Sequence, residues 1–219
     1  MDSAAWDERY RQAAAGRGGR LWSSAPQRVI QDLLRPLAPG SALDLAAGDG
    51  RNAIFLARAG WSVTAVDFSA EAIRLARHHA DEHGVDATWV VADARDYTPG
   101  RLFDLVLVTY LHLPAAENRS VLRRASRWIA PGGHFLVLGH DKANLASGAP
   151  GPRDADILYT RELLEGCAEG LVIRRNDQLF RDSHVDPEGP NDTAATAVDT
   201  LLFATAPQSS RARRPYRDS

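Results

Sequence analysis

Short apolar runs alternate with stretches of helical periodicity along most of this chain. Ala42-Leu43-Asp44-Leu45-Ala46, Val63-Thr64-Ala65-Val66, residues 87–92, Leu105-Val106-Leu107-Val108 and Phe135-Leu136-Val137-Leu138 read as five strands. Between them, residues 52–59, 70–83 and 114–129 carry helical spacing. Ser69 is the N-cap of the second of these helices, and Gly60, Gly84 and Pro131-Gly132-Gly133 are stops. The strands are apolar throughout rather than at every second position. Such strands are buried on both faces, as in a parallel sheet between two helix layers.

The flanks read differently. Residues 4–15 form an Ala-rich helix, broken by Gly16-Arg17-Gly18-Gly19-Arg20. Pro26 opens a second helix with Val29, Ile30, Leu33, Leu34 and Leu37 at helical spacing, closed by Pro36 and Pro39-Gly40. After the fifth strand, Thr160 caps a helix ending near Cys167. Leu171-Val172-Ile173 and residues 198–203 are strands around the turn Pro187-Glu188-Gly189-Pro190, and no helix fits between them. They should pair as an antiparallel hairpin. The expected fold is α/β, a Rossmann-like open sheet of seven strands, five parallel plus the C-terminal antiparallel hairpin, with helices on both faces. The core domain is expected over 41–206, and a disordered basic tail carrying Arg211, Arg213, Arg214 and Arg217 over 207–219.

Composition removes several function classes. The chain has 219 residues, 26 Lys+Arg against 28 Asp+Glu, and a net charge of -2, so no basic footprint for nucleic acid is present. One cysteine, Cys167, cannot pair within the chain, which suits a reducing cytoplasm. No stretch approaches the length of a membrane span, and the N-terminal residues lack a signal-peptide core.

The candidate chemistry gathers where strands give way to helices. Asp44-Leu45-Ala46-Ala47-Gly48-Asp49-Gly50-Arg51-Asn52 joins the first strand to its helix. Gly48 and Gly50 permit a tight turn and close approach of a ligand. The helix start offers free N–H groups. Asp67 ends the second strand, where an acid accepts both hydroxyls of a ribose, and Asp93 follows the third, within reach of an adenine amino group. Three acids at the carboxyl ends of adjacent strands, with glycines between the first two, outweigh the reading of each as an N-cap or solvated strand end. The loop alone leaves a nicotinamide cofactor open, since Ala53 in place of a third glycine is tolerated. The terminal hairpin argues against that fold.

Leu43-Asp44-Leu45-Ala46-Ala47-Gly48-Asp49-Gly50-Arg51-Asn52 and Val63-Thr64-Ala65-Val66-Asp67-Phe68-Ser69 resemble the cofactor motifs of class I S-adenosylmethionine-dependent methyltransferases. Asp104-Leu105-Val106-Leu107 and Ala130-Pro131-Gly132-Gly133-His134-Phe135 resemble the later motifs of that family. Trp6 to Tyr10 and Trp22 to Pro26 are similar to its small bacterial tellurite-resistance and thiopurine-methyltransferase-like branch. One departure stands at Ala46, where the family's motif has glycine.

The resemblance implies S-adenosyl-L-methionine as cofactor, S-adenosyl-L-homocysteine as product, and roles for individual residues. Asp44 would hold the methionine ammonium. Ala46, Gly48 and Gly50 would line the methionine and ribose, with Arg51 and Asn52 near the methionine end. Asp67 would bind the ribose, Phe68 would lie against the adenine, and Asp93 with Ala94 would read the adenine edge. Tyr110 would sit beside the sulfonium. Trp6, Tyr10 and Trp22 would belong to an N-terminal helical lid, residues 1–40.

Methyl transfer from a sulfonium is an in-line displacement in which the protein mainly aligns the nucleophile and excludes water. A thiolate needs no base, whereas a phenol or alcohol usually does. His112, His140 and Asp141 follow the fourth and fifth strands and are the catalytic candidates on the substrate side. The acceptor is expected to be a small molecule rather than nucleic acid or membrane, and the protein a monomer or homodimer. No metal is expected: His79-Ala80-Asp81-Glu82-His83 matches an inverted zinc signature, but lies toward the far end of its helix. A non-catalytic cofactor-binding module and a nicotinamide-dependent oxidoreductase are the competing functions.

Overall fold

A computed structural model describes residues 2–16, 19–187 and 195–208. Helices α1 (Ser3–Ala15) and α2 (Arg28–Leu34) precede the alternating core. That core runs β1 (Ser41–Leu45), α3 (Arg51–Arg58), β2 (Ser62–Asp67), α4 (Ala70–Glu82), β3 (Thr88–Val91), β4 (Phe103–Thr109), α5 (Ala115–Ala125) and β5 (Ile129–His140). Two short helices, α6 (Asn144–Ser147) and α7 (Arg161–Glu165), lead to β6 (Val172–Asp182) and β7 (Thr196–Thr205). The seven strands lie in the order β3-β2-β1-β4-β5-β7-β6. β1 to β5 are parallel, and β7 runs antiparallel to both of its neighbours, β5 and β6.

The apolar runs have the physical cause that their pattern implied. Leu43, Leu45, Val106, Val108, Phe135 and Val137 face one core, while Ala42, Leu105, Leu107, Leu136 and Leu138 face the other. Alternate side chains are thus buried on opposite faces of one sheet. Truncating one of these leucines to alanine costs about 2–5 kcal/mol.

Three expectations change in detail. The helix expected to reach residue 129 stops at Ala125, a 3-10 turn covers Ser126–Trp128, and Ile129 already pairs with Phe103 in β5. Pro131-Gly132-Gly133 therefore lies inside an irregular strand start rather than between elements; a Cβ on Gly133 would stand 2.9 Å from the Asp104 carbonyl oxygen. The hairpin strands are longer than their apolar cores, and the second lies inside the sheet while the first forms its edge. The basic tail from residue 209, the turn residues 188–190 and two positions of the 16–20 break lie outside the described residues. Among the described residues, no helix is long and apolar enough to cross a membrane.

Strand order reverses at β1, which is flanked by β2 on one side and β4 on the other. In open α/β sheets this switch point opens the crevice that receives ligands.

Candidate active site

The turn after β1 is built around three left-handed residues: Ala46 at φ 66°, Gly48 at 57° and Gly50 at 88°. The amides of Ala46 and Ala47 both donate to the Val66 carbonyl, at 2.8 and 3.0 Å. The Gly48 amide donates to Asp67 Oδ2 at 2.8 Å. The turn is therefore tied to the end of β2 by three bonds. Gly50 caps α3 and has no room for a side chain, since a Cβ would stand 2.9 Å from Ala76 Cβ. Ala46 holds a left-handed backbone with a side chain, a strain of roughly 1–2 kcal/mol.

Two of the three sequence-selected acids sit in this crevice as buried carboxylates. Asp44 is fully buried, and neither of its oxygens has a hydrogen-bond partner among the described residues. Burial pushes its pKa up to about 7; the Arg51 charge opposes the shift and the Asp67 charge adds to it. The Ala53 amide also favours the charged form, though it falls outside hydrogen-bond geometry. Asp67 accepts from Ser69 N as well as Gly48 N, and burial still raises it to about 6. Asp93 is different. Its oxygens are held by the Arg95 guanidinium at 2.7–3.1 Å, which keeps its pKa low against partial burial. Phe68 is half-buried and Ala94 belongs to the core beneath. A further acid, Asp49, has both oxygens buried without hydrogen bonds among the described residues; burial raises its pKa, against the charges of Arg20, Arg51 and His79.

Trp6, Tyr10 and Trp22 come together over the turn. Trp6 lies 6.0 Å from Tyr10 and 6.2 Å from Trp22 between ring centres, and the cluster packs on Ala72 and Leu75 of α4. Trp22 Nε1 donates to Tyr10 Oη at 3.0 Å, and a Cβ on Gly48 would meet that hydroxyl at 2.9 Å. Asp7 fastens α1 to the start of α4 by accepting from Ser69 Oγ at 2.5 Å and Glu71 N at 3.1 Å.

Arg51 and Tyr110 connect this side to the other half of the crevice. Arg51 donates to Ser23 Oγ at 3.2 Å, and its guanidinium lies 5.5 Å from the Tyr110 ring centre. Asn52 Nδ2 donates to Thr109 Oγ1 at 2.8 Å, clamping α3 to the end of β4. Tyr110 is, among the described residues, the other non-glycine residue with positive φ, at 53°. Its ring stands edge-on to His140 at 5.0 Å, and its hydroxyl donates to Asp199 Oδ2 at 3.2 Å. His140 meets Asp199 Oδ1 through Nδ1 at 3.1 Å, and Arg181 Nε donates to Asp199 Oδ2 at 2.8 Å. His112 stacks on His140 at 5.3 Å with planes 9° apart, and its Nδ1 meets the Ile157 carbonyl at 2.9 Å. Burial works against the Asp199 charge, but the bonds and charges of His140 and Arg181 prevail and lower its pKa.

Of the sequence-selected substrate-side residues, His112 and His140 thus stand together, whereas Asp141 is committed to the fold. Its carboxylate accepts from Thr200 Oγ1, Gln178 Nε2 and Ala143 N at 2.6, 3.0 and 2.7 Å. Asp199 and Arg181 were not anticipated. The signal for Asp199 was present: a lone acid inside the apolar run Val198-Asp199-Thr200-Leu201-Leu202-Phe203. In the zinc-like motif, His79 faces inward onto the Asp49 carbonyl while His83 is exposed beyond the helix end. Among the described residues, no three His, Cys, Asp or Glu side chains are grouped to hold a metal ion.

A family model described as a methyltransferase domain matches residues 42–133. The chain is 31% identical over 149 residues to the 2-heptyl-1-hydroxyquinolin-4(1H)-one methyltransferase of Mycobacteroides abscessus, covering 65% of this chain and 66% of that one. The chain spans about two thirds or less of the length of the curated relatives it matches. A solved structure described as the conversion of a disulfide bond into a thioacetal group during echinomycin biosynthesis superposes with a TM-score of 0.74 and 26% identity, over 95% of this chain and 93% of that one. TehB from Haemophilus influenzae shares the fold at a TM-score of 0.70 and 15% identity, over 90% and 67% of the two chains. Other solved structures of this fold hold S-adenosylmethionine or S-adenosylhomocysteine.

Proposed function

We propose, from the premise that residues 42–133 form a class I S-adenosylmethionine-dependent methyltransferase domain, that the chain transfers a methyl group to a small-molecule nucleophile by in-line displacement. The observation that carries this reading is Asp44. A fully buried carboxylate with no hydrogen-bond partner among the described residues is costly unless a cation completes it, and the ammonium of a bound methionine moiety is such a cation.

When bound, S-adenosylmethionine supplies an already activated methyl group, so the protein's work is to bind, orient and exclude water. Asp44 would take the ammonium, with Ala46, Gly48 and Gly50 lining the methionine and ribose. Arg51 and Asn52 would close the methionine end of the site. Asp67 would accept the ribose hydroxyls on oxygens already oriented by Gly48 N and Ser69 N. Phe68 and Ala94 would flank the adenine, while Asp93, engaged with Arg95, would shape that end of the site rather than bond to it. Tyr110, held in its left-handed conformation at the end of β4, would face the reacting methyl. Residues 1–40 would act as a lid through Trp6, Tyr10 and Trp22.

The acceptor class remains small molecules with a nucleophilic oxygen, sulfur, nitrogen or chalcogen. The Mycobacteroides relative is named for a hydroxylated quinolone, and a ring-bearing acceptor suits the aromatic group that Tyr110, His112 and His140 form after β4 and at the end of β5. The one cysteine, Cys167, is buried and unpaired, which suits the cytoplasm. The test is calorimetry with S-adenosylhomocysteine and with NAD, followed by labelled S-adenosylmethionine and a panel of thiols, phenols, amines and chalcogen oxyanions. Binding of S-adenosylhomocysteine with transfer to one acceptor class is expected. NAD binding in its place would overturn the reading, and binding with no transfer to any acceptor would favour a non-catalytic module.

A further inference from the structure

We infer that Asp49, the acid between Gly48 and Gly50, is a positioning residue that binds protein rather than ligand: with Arg20 it latches residues 20–23 over the turn after β1, and so sets how tightly the cofactor is held. The inference rests on the methyl-transfer reading and adds to it the means by which the N-terminal cover is fastened.

Asp49 is fully buried, and neither of its carboxylate oxygens has a hydrogen-bond partner among the described residues. A carboxylate so placed needs a counter-charge. Here the counter-charges belong to the protein: Arg20 acts on it most strongly, then Arg51 and His79. The Trp22 amide also favours its charged form, though it falls outside hydrogen-bond geometry. Arg20 is the complementary orphan, since its Nη1 is buried and has no acceptor among the described residues. It borders a cavity of about 350 Å³ with Ala14, Leu75 and His79, so its side chain has room to move. The backbone under Asp49 is fixed. Gly48 and Gly50 are both left-handed, and His79 Nδ1 donates to the Asp49 carbonyl at 3.2 Å.

Position gives this pair its consequence. Arg20 stands two residues before Trp22, whose Nε1 donates to Tyr10 Oη, and three before Ser23, whose Oγ accepts from Arg51 Nη1 at 3.2 Å. Residues 20–23 are thus set against residues 49–51, from Arg20 beside Asp49 to Ser23 on Arg51. A Cβ on Gly48 would stand 2.9 Å from the Tyr10 hydroxyl and 3.5 Å from Trp22 Nε1. What holds this segment therefore also holds the aromatic cover on the turn. The other fastening, Asp7 on Ser69 and Glu71, acts on α1 and not on residues 20–23. A ligand cation on Asp49 would have to sit among two guanidinium groups and an imidazole, where charge opposes it. Drawing Arg20 Nη1 and the Trp22 amide onto the carboxylate satisfies the buried groups of both sides at once, through charge-assisted bonds. The same movement closes the cover on a bound cofactor and excludes water.

The experiment uses the full chain, with S-adenosylhomocysteine affinity read by calorimetry and cleavage after Leu21 and Trp22 read with chymotrypsin. Asp49→Asn and Arg20→Gln should each weaken binding by about 10-fold, the loss of one charge-assisted bond. Each should also speed cleavage several-fold, with and without ligand. The double variant should be no weaker than either single one, because the same interaction is lost in all three. Arg20→Lys keeps the charge and should restore most of the affinity. Four results would overturn the inference: affinity within twofold of the parent in either single variant, losses that multiply in the double variant, a loss in Arg20→Lys as large as in Arg20→Gln, or weakened binding in Asp49→Asn with the parent's cleavage rate, which would put the carboxylate on the ligand itself. Arg20→Gln and Arg20→Lys decide the matter should Asp49→Asn fail to fold. Failure of the parent to bind S-adenosylhomocysteine would instead sink the underlying methyltransferase reading, and the cleavage rates of the ligand-free proteins would still decide the latch.

Discussion

The Gly48 amide and the Asp67 carboxylate, 19 residues apart in sequence, meet in a buried 2.8 Å hydrogen bond that makes the turn after β1 and the end of β2 one unit. One oxygen of Asp67 is therefore spent on the turn, and the other on Ser69 N at 2.9 Å. Each still has a lone pair for a further donor.

Asp67→Asn should weaken S-adenosylhomocysteine binding; its amide nitrogen cannot accept, so one of the bonds from Gly48 N and Ser69 N is lost with the charge. A hydrogen bond to a charged group is worth about 1.5–3 kcal/mol, which corresponds to roughly 10- to 150-fold in affinity. Calorimetry on the variant checks this, and an unchanged Kd would remove Asp67 from the ribose.

Asp44→Asn should separate stability from function. Burial holds the Asp44 pKa near 7, above its ordinary 3.8. A raised carboxylate pKa means that the folded state binds more protons than the unfolded one. Stability is therefore lost as pH rises from about 4 to 7. The variant removes that penalty, up to an order of 4 kcal/mol above pH 7, less whatever the buried amide costs. Thermal melts should show its advantage over the parent growing between pH 4 and 7 and then levelling, while S-adenosylhomocysteine binding is lost. A variant that is less stable than the parent at pH 8 would contradict the account.

The same two acids predict a pH-dependent affinity in the parent protein. A cation beside Asp44 and hydroxyl donors on Asp67 both favour the charged forms, so binding releases protons. With the free-protein pKa values near 7 and 6, affinity should fall by roughly 10- to 20-fold from pH 8 to pH 6. Calorimetry in buffers of different ionisation enthalpy reads the released protons directly. Flat affinity across this range would show that neither acid meets the ligand.

Asp7→Ala should loosen the N-terminal cover without touching the sheet. Asp7 holds the Ser69 hydroxyl and the Glu71 amide at the start of α4. Limited proteolysis between residues 2 and 27 should quicken several-fold in the variant, and S-adenosylhomocysteine should protect the parent more than the variant. Cleavage that ignores the ligand in both proteins would leave Trp6, Tyr10 and Trp22 as packing alone.

The sheet was legible because strands buried on both faces have no polar alternation to blur, and α4 carried its own cap at Ser69. Asp44 and Asp67 were legible because glycines and strand ends fix their positions locally. The group around His140 was only half legible. His140 stands at a strand end, but its partner Asp199 comes from a strand whose place between β5 and β6 is set by packing rather than by neighbouring sequence. Asp93 was selected by position, and only the structure pairs it with Arg95, two residues along. The end of α5 was overrun because Trp128 and Ile129 continue the apolar periodicity into the next strand.

The insertion of β7 between β5 and β6 also sets an order of assembly during synthesis. The residues of the β1 turn and the end of β2 leave the ribosome early and within a short span of one another. His140 follows, but Asp199, the carboxylate it meets, arrives only with residues 196–205. At about 5–20 residues per second, the interval from His140 to Thr205 is roughly 3–13 s. Throughout it, β5 is an open sheet edge, exposed to pairing with other chains. A nascent chain at this stage already has the turn after β1 and lacks Asp199. Closing the vulnerable edge and giving His140 its buried carboxylate partner are therefore the same event.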